Sequence, residues 1–408
     1  MNMTSTPLSE KAAAYVQKLC VEIPRRPVGS PGNRAATEFF AETVEAFGFE
    51  TECPEFDCID WTHGDLHLMV DGEPYEAFVG PYSLACQINA PLVTLSSIQE
   101  LESAQLEGRI ALLQGEIAQE QLMPKNFTFY NPDHHRKIVG LLEAKAPLAL
   151  IAATSRNPEL AGGLYPFPLI EDGDFDIPSA YMTDKEGIRL ARHAGQGVSL
   201  SFDAERTPAR GSNVLARRGH AMDRRVVICA HIDAKDGTPG ALDNATGVTV
   251  LLLLAELLAA YGGDMGVEIV AFNGEDYYSA PGQMRYLNDN EARLREIVIG
   301  INLDGIGYRE GNTAYSLYGC STELAALVHK AFGSQPNTVE GQAWYQSDHS
   351  LFIQNGIPAV AITSDRFDEL WTHVAHTPRD RPRMVDPARL VRAALALRDL
   401  LLDLNGVF

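Results

Sequence analysis

Six residues in the C-terminal half carry side chains that could bind a cation or move a proton: His231, Asp243, Glu275, Asp276, Asp304 and His376. The apolar run RRVVICA ends in His231-Ile232-Asp233. A neutral imidazole is a good zinc ligand, and a carboxylate two residues on can fix its tautomer from behind. Read alone, the same pair also fits a hydrogen-bonded structural histidine. Asp243 lies in the glycine-rich GALDN, at the entrance to an apolar helix, where an aspartate either caps the helix or presents both oxygens to cations. The run GVEIVAF leads into Asn273-Gly274-Glu275-Asp276. Neighbouring side chains at a strand exit point in different directions, so one carboxylate can bind metal while the other serves a water as general base; either could instead cap the next helix. Asp304 follows the apolar IVIGINL, and a half-buried carboxylate there needs a partner that a cation would supply. WTHVAHTPRD adds His373 and His376. Each residue has an ordinary explanation taken singly, but successive strand exits and loops all offering His, Asp or Glu point to a metal centre. Two histidines and several carboxylates suit zinc, and cobalt or manganese would accept the same donors.

The elements that must position these residues follow from the hydrophobic pattern. After Arg210, near-continuous apolar strands alternate with amphipathic helices: RRVVICA then GVTVLLLLAELLAAYGG, GVEIVAF then PGQMRYLNDNEARL, IVIGINL then STELAALVHKAF, and PAVAITS before a last helix from Asp386. That alternation predicts an α/β/α sandwich, a mixed and mostly parallel sheet covered on both faces, and open sheets of this kind place ligands beyond the carboxyl ends of their strands. Residues 8–48 read as two helices split by the turn-rich RRPVGSPGN. From about 51 to 205 the texture changes to short alternating segments (DLHLMV, RIALLQG, LALIAAT, SAYMT, VSLSF) with one clear helix, HHRKIVGLLEAKA, which predicts a smaller β-rich insert. The expected organisation is therefore 1–50 and 206–408 as one catalytic domain, interrupted by the insert at 51–205.

At 408 residues with 45% hydrophobic content, the chain can bury a large core. Its 54 acidic against 33 basic residues give a net charge of -21, which opposes binding to nucleic acid or to an anionic membrane surface. The apolar run Val248 to Ala260 is too short to span a bilayer and contains Glu256. The start, MNMTSTPLSEKAAAYVQ, lacks the basic and apolar regions of a secretory signal, and a cytoplasmic location is expected. Six cysteines without CxxC spacing are expected to be reduced. Whether the chain forms homo-oligomers is left open.

In the order AHID, GALDN, NGED, NLDGIG, SDHSLF and HTPRD, the chain from Arg210 onward resembles the M28 family of zinc metallopeptidases, and RRPVGSPGNRAATEFFAETVEAFGFE resembles the start of that family's catalytic domain. The stretch 51–205, through LEGRIALLQG and APLALIAAT, resembles a protease-associated insert. The resemblance implies a zinc-exopeptidase-like fold holding two divalent ions, expected to be Zn2+. It implies that His231 and Asp304 bind one ion, Asp276 and His376 the other, and Asp243 both, with Glu275 as general base and Asp233 behind His231. Two such ions, about 3.5–4 Å apart, would activate a water between them and polarise the scissile carbonyl. Tyr345 is a candidate oxyanion donor, with Asp348 and His349 as pocket residues. Two departures stand out: the family usually has adjacent glutamates where this chain has Glu275-Asp276, and Leu242 precedes the shared aspartate where relatives often have an acidic residue.

The implied function is metal-dependent hydrolysis of peptide or small-amide substrates, foremost as an aminopeptidase. Carboxypeptidase action, small-amide hydrolysis and glutaminyl cyclisation on the same scaffold are the enzymatic alternatives. A non-catalytic binding protein with structural metals is the alternative from another class, which the retention of Glu275 opposes.

Overall fold

The computed structural model describes residues 5–23, 25–156 and 161–407. The chain forms two compact units, one from 1–58 and 210–408, the other from 59–209.

The first unit is built on an eight-stranded sheet. Its strand order is Glu50–Glu52, Val214–Arg218, Met265–Phe272, Ala221–His231, Ile297–Leu303, Ala359–Ser364, Thr313–Tyr318, Thr338–Glu340. The four strands from Met265–Phe272 to Ala359–Ser364 in that order run parallel. Antiparallel neighbours flank them on both sides, so the sheet is mixed with a parallel centre. The central strands are buried along nearly their whole length, as their unbroken apolar runs require.

Alternate residues of one strand serve opposite layers. Val226, Ile228 and Ala230 pack with Val248, Leu252, Leu397 and Leu401, from the helices Thr246–Leu257 and Pro387–Val407. Val227 and Cys229 pack with Tyr286 and Phe352, from the helices Pro281–Asn290 and His349–Gln354. Helices therefore cover both faces, giving the α/β/α sandwich. Gly247 lets the helix behind Asp243 lie hard against the sheet: a Cβ there would stand 2.6 Å from the Leu303 carbonyl oxygen and 2.9 Å from the Ala230 Cβ. The strands Thr313–Tyr318 and Thr338–Glu340 and the helix Phe367–His373 lie in stretches where the hydrophobic pattern predicts no element.

The second unit holds its own eight-stranded sheet, in which Cys86–Leu95, Ile110–Leu113, Ala149–Thr154 and Ser179–Thr183 run parallel. The helices Ile98–Ser103, Asp133–Lys145 and Asp184–Ala191 accompany the strands, and Leu113, Ile138, Leu142, Leu150, Leu169 and Phe175 form a core of this unit's own. Cys86–Leu95 is a ten-residue strand that sequence pattern alone hides, because Pro91 interrupts its reading as a strand. Among the described residues, no helix is long and apolar enough to cross a membrane.

Candidate metal centre

The parallel strands end side by side, and their exits deliver the predicted donors to one place. His231 closes its strand with no exposure to solvent. Its Nε2 lies 3.2 Å from Asp243 Oδ1, 3.8 Å from Asp304 Oδ2 and 4.0 Å from Glu275 Oε2. His376 Nε2 lies 3.1 Å from Asp243 Oδ2 and 3.1 Å from Asp276 Oδ1. The carboxylate of Asp243 thus faces one imidazole with each oxygen. His373, the other candidate in that segment, is exposed at the end of its helix, whereas His376 is buried with a left-handed φ of 61°.

The donors fit a cation better than they fit one another. His231 Nε2 and Asp243 Oδ2 are buried and make no hydrogen bond among the described residues despite their close charged neighbours. An orphaned buried nitrogen and an orphaned buried carboxylate oxygen are costly unless cations take their lone pairs. Burial opposes charging His231, but Asp233, Asp243 and Asp304 around it outweigh that and raise its pKa. Burial likewise opposes the charged ring of His376, while Asp276 and Asp243 raise its pKa to about 10. Asp304 is pushed up by burial, and Glu275 is pushed well up by burial together with Asp276, Asp304 and Asp348. So many carboxylates in a dry space favour positive charge among them, which metal ions supply.

Behind these groups lies a scaffold of backbone bonds. Asp233 accepts from the N–H groups of Gly274 (2.9 Å, Oδ1) and Asp276 (3.0 Å, Oδ2), tying the His231 loop to the NGED loop, and its carbonyl oxygen lies 3.2 Å from His231 Nδ1. Asp276 Oδ2 accepts from the Lys235 N–H at 3.1 Å.

Asp348, Tyr345 and His349 have different surroundings. Asp348 is buried, its Oδ1 accepting from Gln283 Nε2 at 2.7 Å while Oδ2 has no hydrogen-bond partner, and burial raises its pKa to about 7. Tyr345 is 62% exposed and packs edge-on against Tyr318. His349 is wholly buried, with Nε2 2.8 Å from the Trp344 carbonyl oxygen and Nδ1 3.4 Å from Asn302 Nδ2.

Several supporting residues escape the sequence reading. Arg26 is 1% exposed and donates to the carbonyl oxygens of Ile232 (3.1 Å), Pro239 (3.1 Å), Gly240 (2.8 Å) and Leu19. Gly240 is required beneath it: φ is 59°, and a Cβ would stand 2.7 Å from Arg26 Nη2. Asn33, on the helix Pro31–Ala46, donates to Asn273 Oδ1 at 2.5 Å, and Asn273 donates to Thr37 Oγ1 at 2.9 Å. Asn33 and Thr37 are polar residues one turn apart on the helix's buried face, a spacing that marks a polar anchor in the sequence. Asp380, whose carboxylate accepts from the N–H groups of Leu242 and Asp243, carries no such mark.

Among the described residues, a second group with metal-like composition is Glu120, His134 and His135 in the other unit. The Met123 N–H donates to His135 Nδ1 at 3.1 Å, which leaves the neutral ring's hydrogen on Nε2, 3.2 Å from Glu120 Oε1. That nitrogen then carries the hydrogen and has no lone pair for a metal.

His231, Asp243 and Asp276 offer ligand atoms close enough together to hold a metal ion. Residues 213–401, the greater part of the first unit, match the model of Peptidase family M28. A probable leucine aminopeptidase 2 of Aspergillus fumigatus is 25% identical over 376 residues, covering 86% of this chain and 69% of the relative. Aminopeptidase YwaD of Bacillus subtilis is 26% identical over 398 residues, covering 94% of this chain and 82% of the relative. The solved structure of BSAP, a zinc aminopeptidase from Bacillus subtilis, superposes with a TM-score of 0.74 at 19% identity, over 97% of this chain and 94% of that one.

Proposed function

We propose that the chain is a zinc-dependent aminopeptidase that releases N-terminal residues with two ions in its centre. The observation that carries this reading is Asp243 between His231 and His376, one oxygen toward each ring at 3.2 and 3.1 Å. A carboxylate so placed suits a ligand shared by two ions, with Asp304 completing the set at His231 and Asp276 the set at His376. The relatives' own names, aminopeptidases in each case, support the substrate class. Ions held there would lower the pKa of a water and polarise the scissile carbonyl.

The remaining work falls to residues of the chain. The Glu275 side chain is partly open to solvent, 24% exposed, whereas the donors beside it are buried. Its carboxylate takes the proton of the attacking water and passes it to the leaving amine. Asp233 holds the Glu275 segment from both sides through the N–H groups of Gly274 and Asp276, keeping the base aimed at the donor cluster. The surplus of carboxylates also favours a substrate bearing a free ammonium group over one with a blocked N-terminus.

The deciding experiment combines metal quantification on the purified protein with a panel of aminoacyl fluorogenic substrates and their N-acetylated counterparts. The reading expects about two zinc equivalents per chain, turnover of free-amine substrates only, and loss of turnover on chelation. Turnover of blocked substrates alone, or fewer than about one metal equivalent in active protein, overturns it.

A further inference from the structure

The helix Thr246–Leu257 begins just after Asp243, through a turn over Ala241–Ala245. The first N–H groups of a helix have no partner within it, and an aspartate at the entrance ordinarily turns its own carboxylate onto them. In this chain Asn244 does that instead, its Oδ1 accepting from the Gly247 N–H at 3.0 Å, and two N–H groups of the preceding turn are taken by a residue far away in sequence. Leu242 N–H donates to Asp380 Oδ1 at 2.7 Å, and Asp243 N–H donates to Asp380 Oδ2 at 3.0 Å. Asp380 is fully buried and uses both of its oxygens this way.

We propose that Asp380 is a positioning residue that fixes the backbone of this turn at Leu242 and Asp243, so that both oxygens of Asp243 are presented for sharing between two cations. The inference rests on the reading of Asp243 as the shared ligand. Without Asp380, two buried N–H groups lose their acceptor and the turn that aims the Asp243 carboxylate is free to shift.

The turn that carries Asp380 also carries His376, and it is tied to the Asp243 loop at a second point. Thr238 Oγ1 donates to the Thr377 carbonyl oxygen at 3.0 Å and accepts from the Gly240 N–H at 3.1 Å. Arg26 pins the far side of the same loop through the carbonyl oxygens of Pro239 and Gly240. The segments that carry His376 and Asp243 are therefore tied together by hydrogen bonds that do not depend on a metal.

The test uses the full-length protein as wild type, Asp380→Asn and Thr238→Val. Zinc binding to the metal-free protein is titrated by calorimetry, the metal-free melting temperature is recorded, and kcat and KM are measured separately. An asparagine keeps the volume, but its amide nitrogen can only donate, so one backbone N–H loses its acceptor. The expected result for Asp380→Asn is zinc binding weaker by about 10- to 100-fold, with kcat lowered and KM changed by less than about twofold. Thr238→Val is expected to move zinc binding in the same direction by about two- to tenfold. Asp380→Asn protein that binds zinc as tightly as wild type, whatever its melting temperature, overturns the proposal. If Asp380→Asn does not fold, wild-type zinc affinity in Thr238→Val overturns it instead. A wild-type protein that takes up no zinc overturns the underlying functional reading, and that failure shows in the wild-type arm alone.

Discussion

His376 Nε2 lies 3.1 Å from Asp276 Oδ1 even though Asp276 is one methylene shorter than the glutamate that the family resemblance leads one to expect there. The short side chain reaches because its other oxygen is anchored by the Lys235 N–H and its backbone N–H is held by Asp233. Asp276→Glu adds a methylene to a carboxylate whose two ends are already fixed, so either the Lys235 bond or the approach to His376 must give way. Zinc affinity in this variant is expected to fall about tenfold, as measured by calorimetric titration of the metal-free protein. Unchanged affinity would show that the site tolerates either length.

Glu275→Gln preserves the volume of the proposed base and removes its capacity to accept a proton. Turnover of an aminoacyl substrate is expected to drop by about 10^2- to 10^4-fold, with metal content equal to that of wild type. The metal measurement separates this role from ligation: a variant that lost zinc together with activity would mark Glu275 as a ligand.

The part of the centre legible in the sequence is the part that obeys a positional rule. His231, Glu275, Asp276 and Asp304 end apolar runs, and the structure confirms the strand exits to which those runs lead. Asp243 and His376 sit in loops, where periodicity says nothing, and the ordered motifs of the family resemblance single them out. What stayed hidden is long-range hydrogen bonding. Arg26 looks like one of two arginines in a turn, yet it is buried under loops more than 200 residues away. Asp380 reads as the end of a surface-like HTPRD, and only its contacts with Leu242 and Asp243 give it a role. A backbone N–H has no sequence signature, so its partner cannot be read from residue types. The strand Thr338–Glu340 escaped for a simpler reason: at three residues it is too short for a period of two to register.

His349 supplies a pH dependence whose sign is fixed by burial. Enclosure in the core lowers its pKa from the ordinary 6.5 to about 4, against a smaller opposing effect of the Trp344 carbonyl. Between those values the unfolded chain takes up a proton that the folded protein refuses, so stability is fully present above pH 6.5 and is lost as pH falls toward 4. At about 1.4 kcal/mol per pH unit, the loss by pH 5 is about 2 kcal/mol. The metal-free melting temperature is therefore expected to fall more steeply from pH 7 to 5 in wild type than in His349→Gln. Parallel slopes would place the acid sensitivity elsewhere.

A buried charge network on the second central strand offers a stability test away from the centre. Glu268 is 1% exposed and accepts from Tyr286 Oη and Arg217 Nε, both at 2.6 Å. Its Oε1 lies 3.6 Å from Nε of Arg225, which is itself wholly buried and also paired with Glu296 at 2.9 Å. Removing Glu268 leaves wholly buried Arg225 with Glu296 alone and strips the Tyr286 hydroxyl of its acceptor, a larger loss than the pair's net contribution. Glu268→Ala is expected to lower unfolding free energy by about 3–5 kcal/mol, read from the denaturant midpoint. Glu268→Gln keeps an acceptor for Tyr286 and is expected to cost about 1–3 kcal/mol. Because Glu268 stands four residues before the strand exit, about 13 Å away along the strand, kcat of the protein that remains folded should match wild type in both variants. A fall in kcat at full folding would mean that this network also sets the position of the NGED loop.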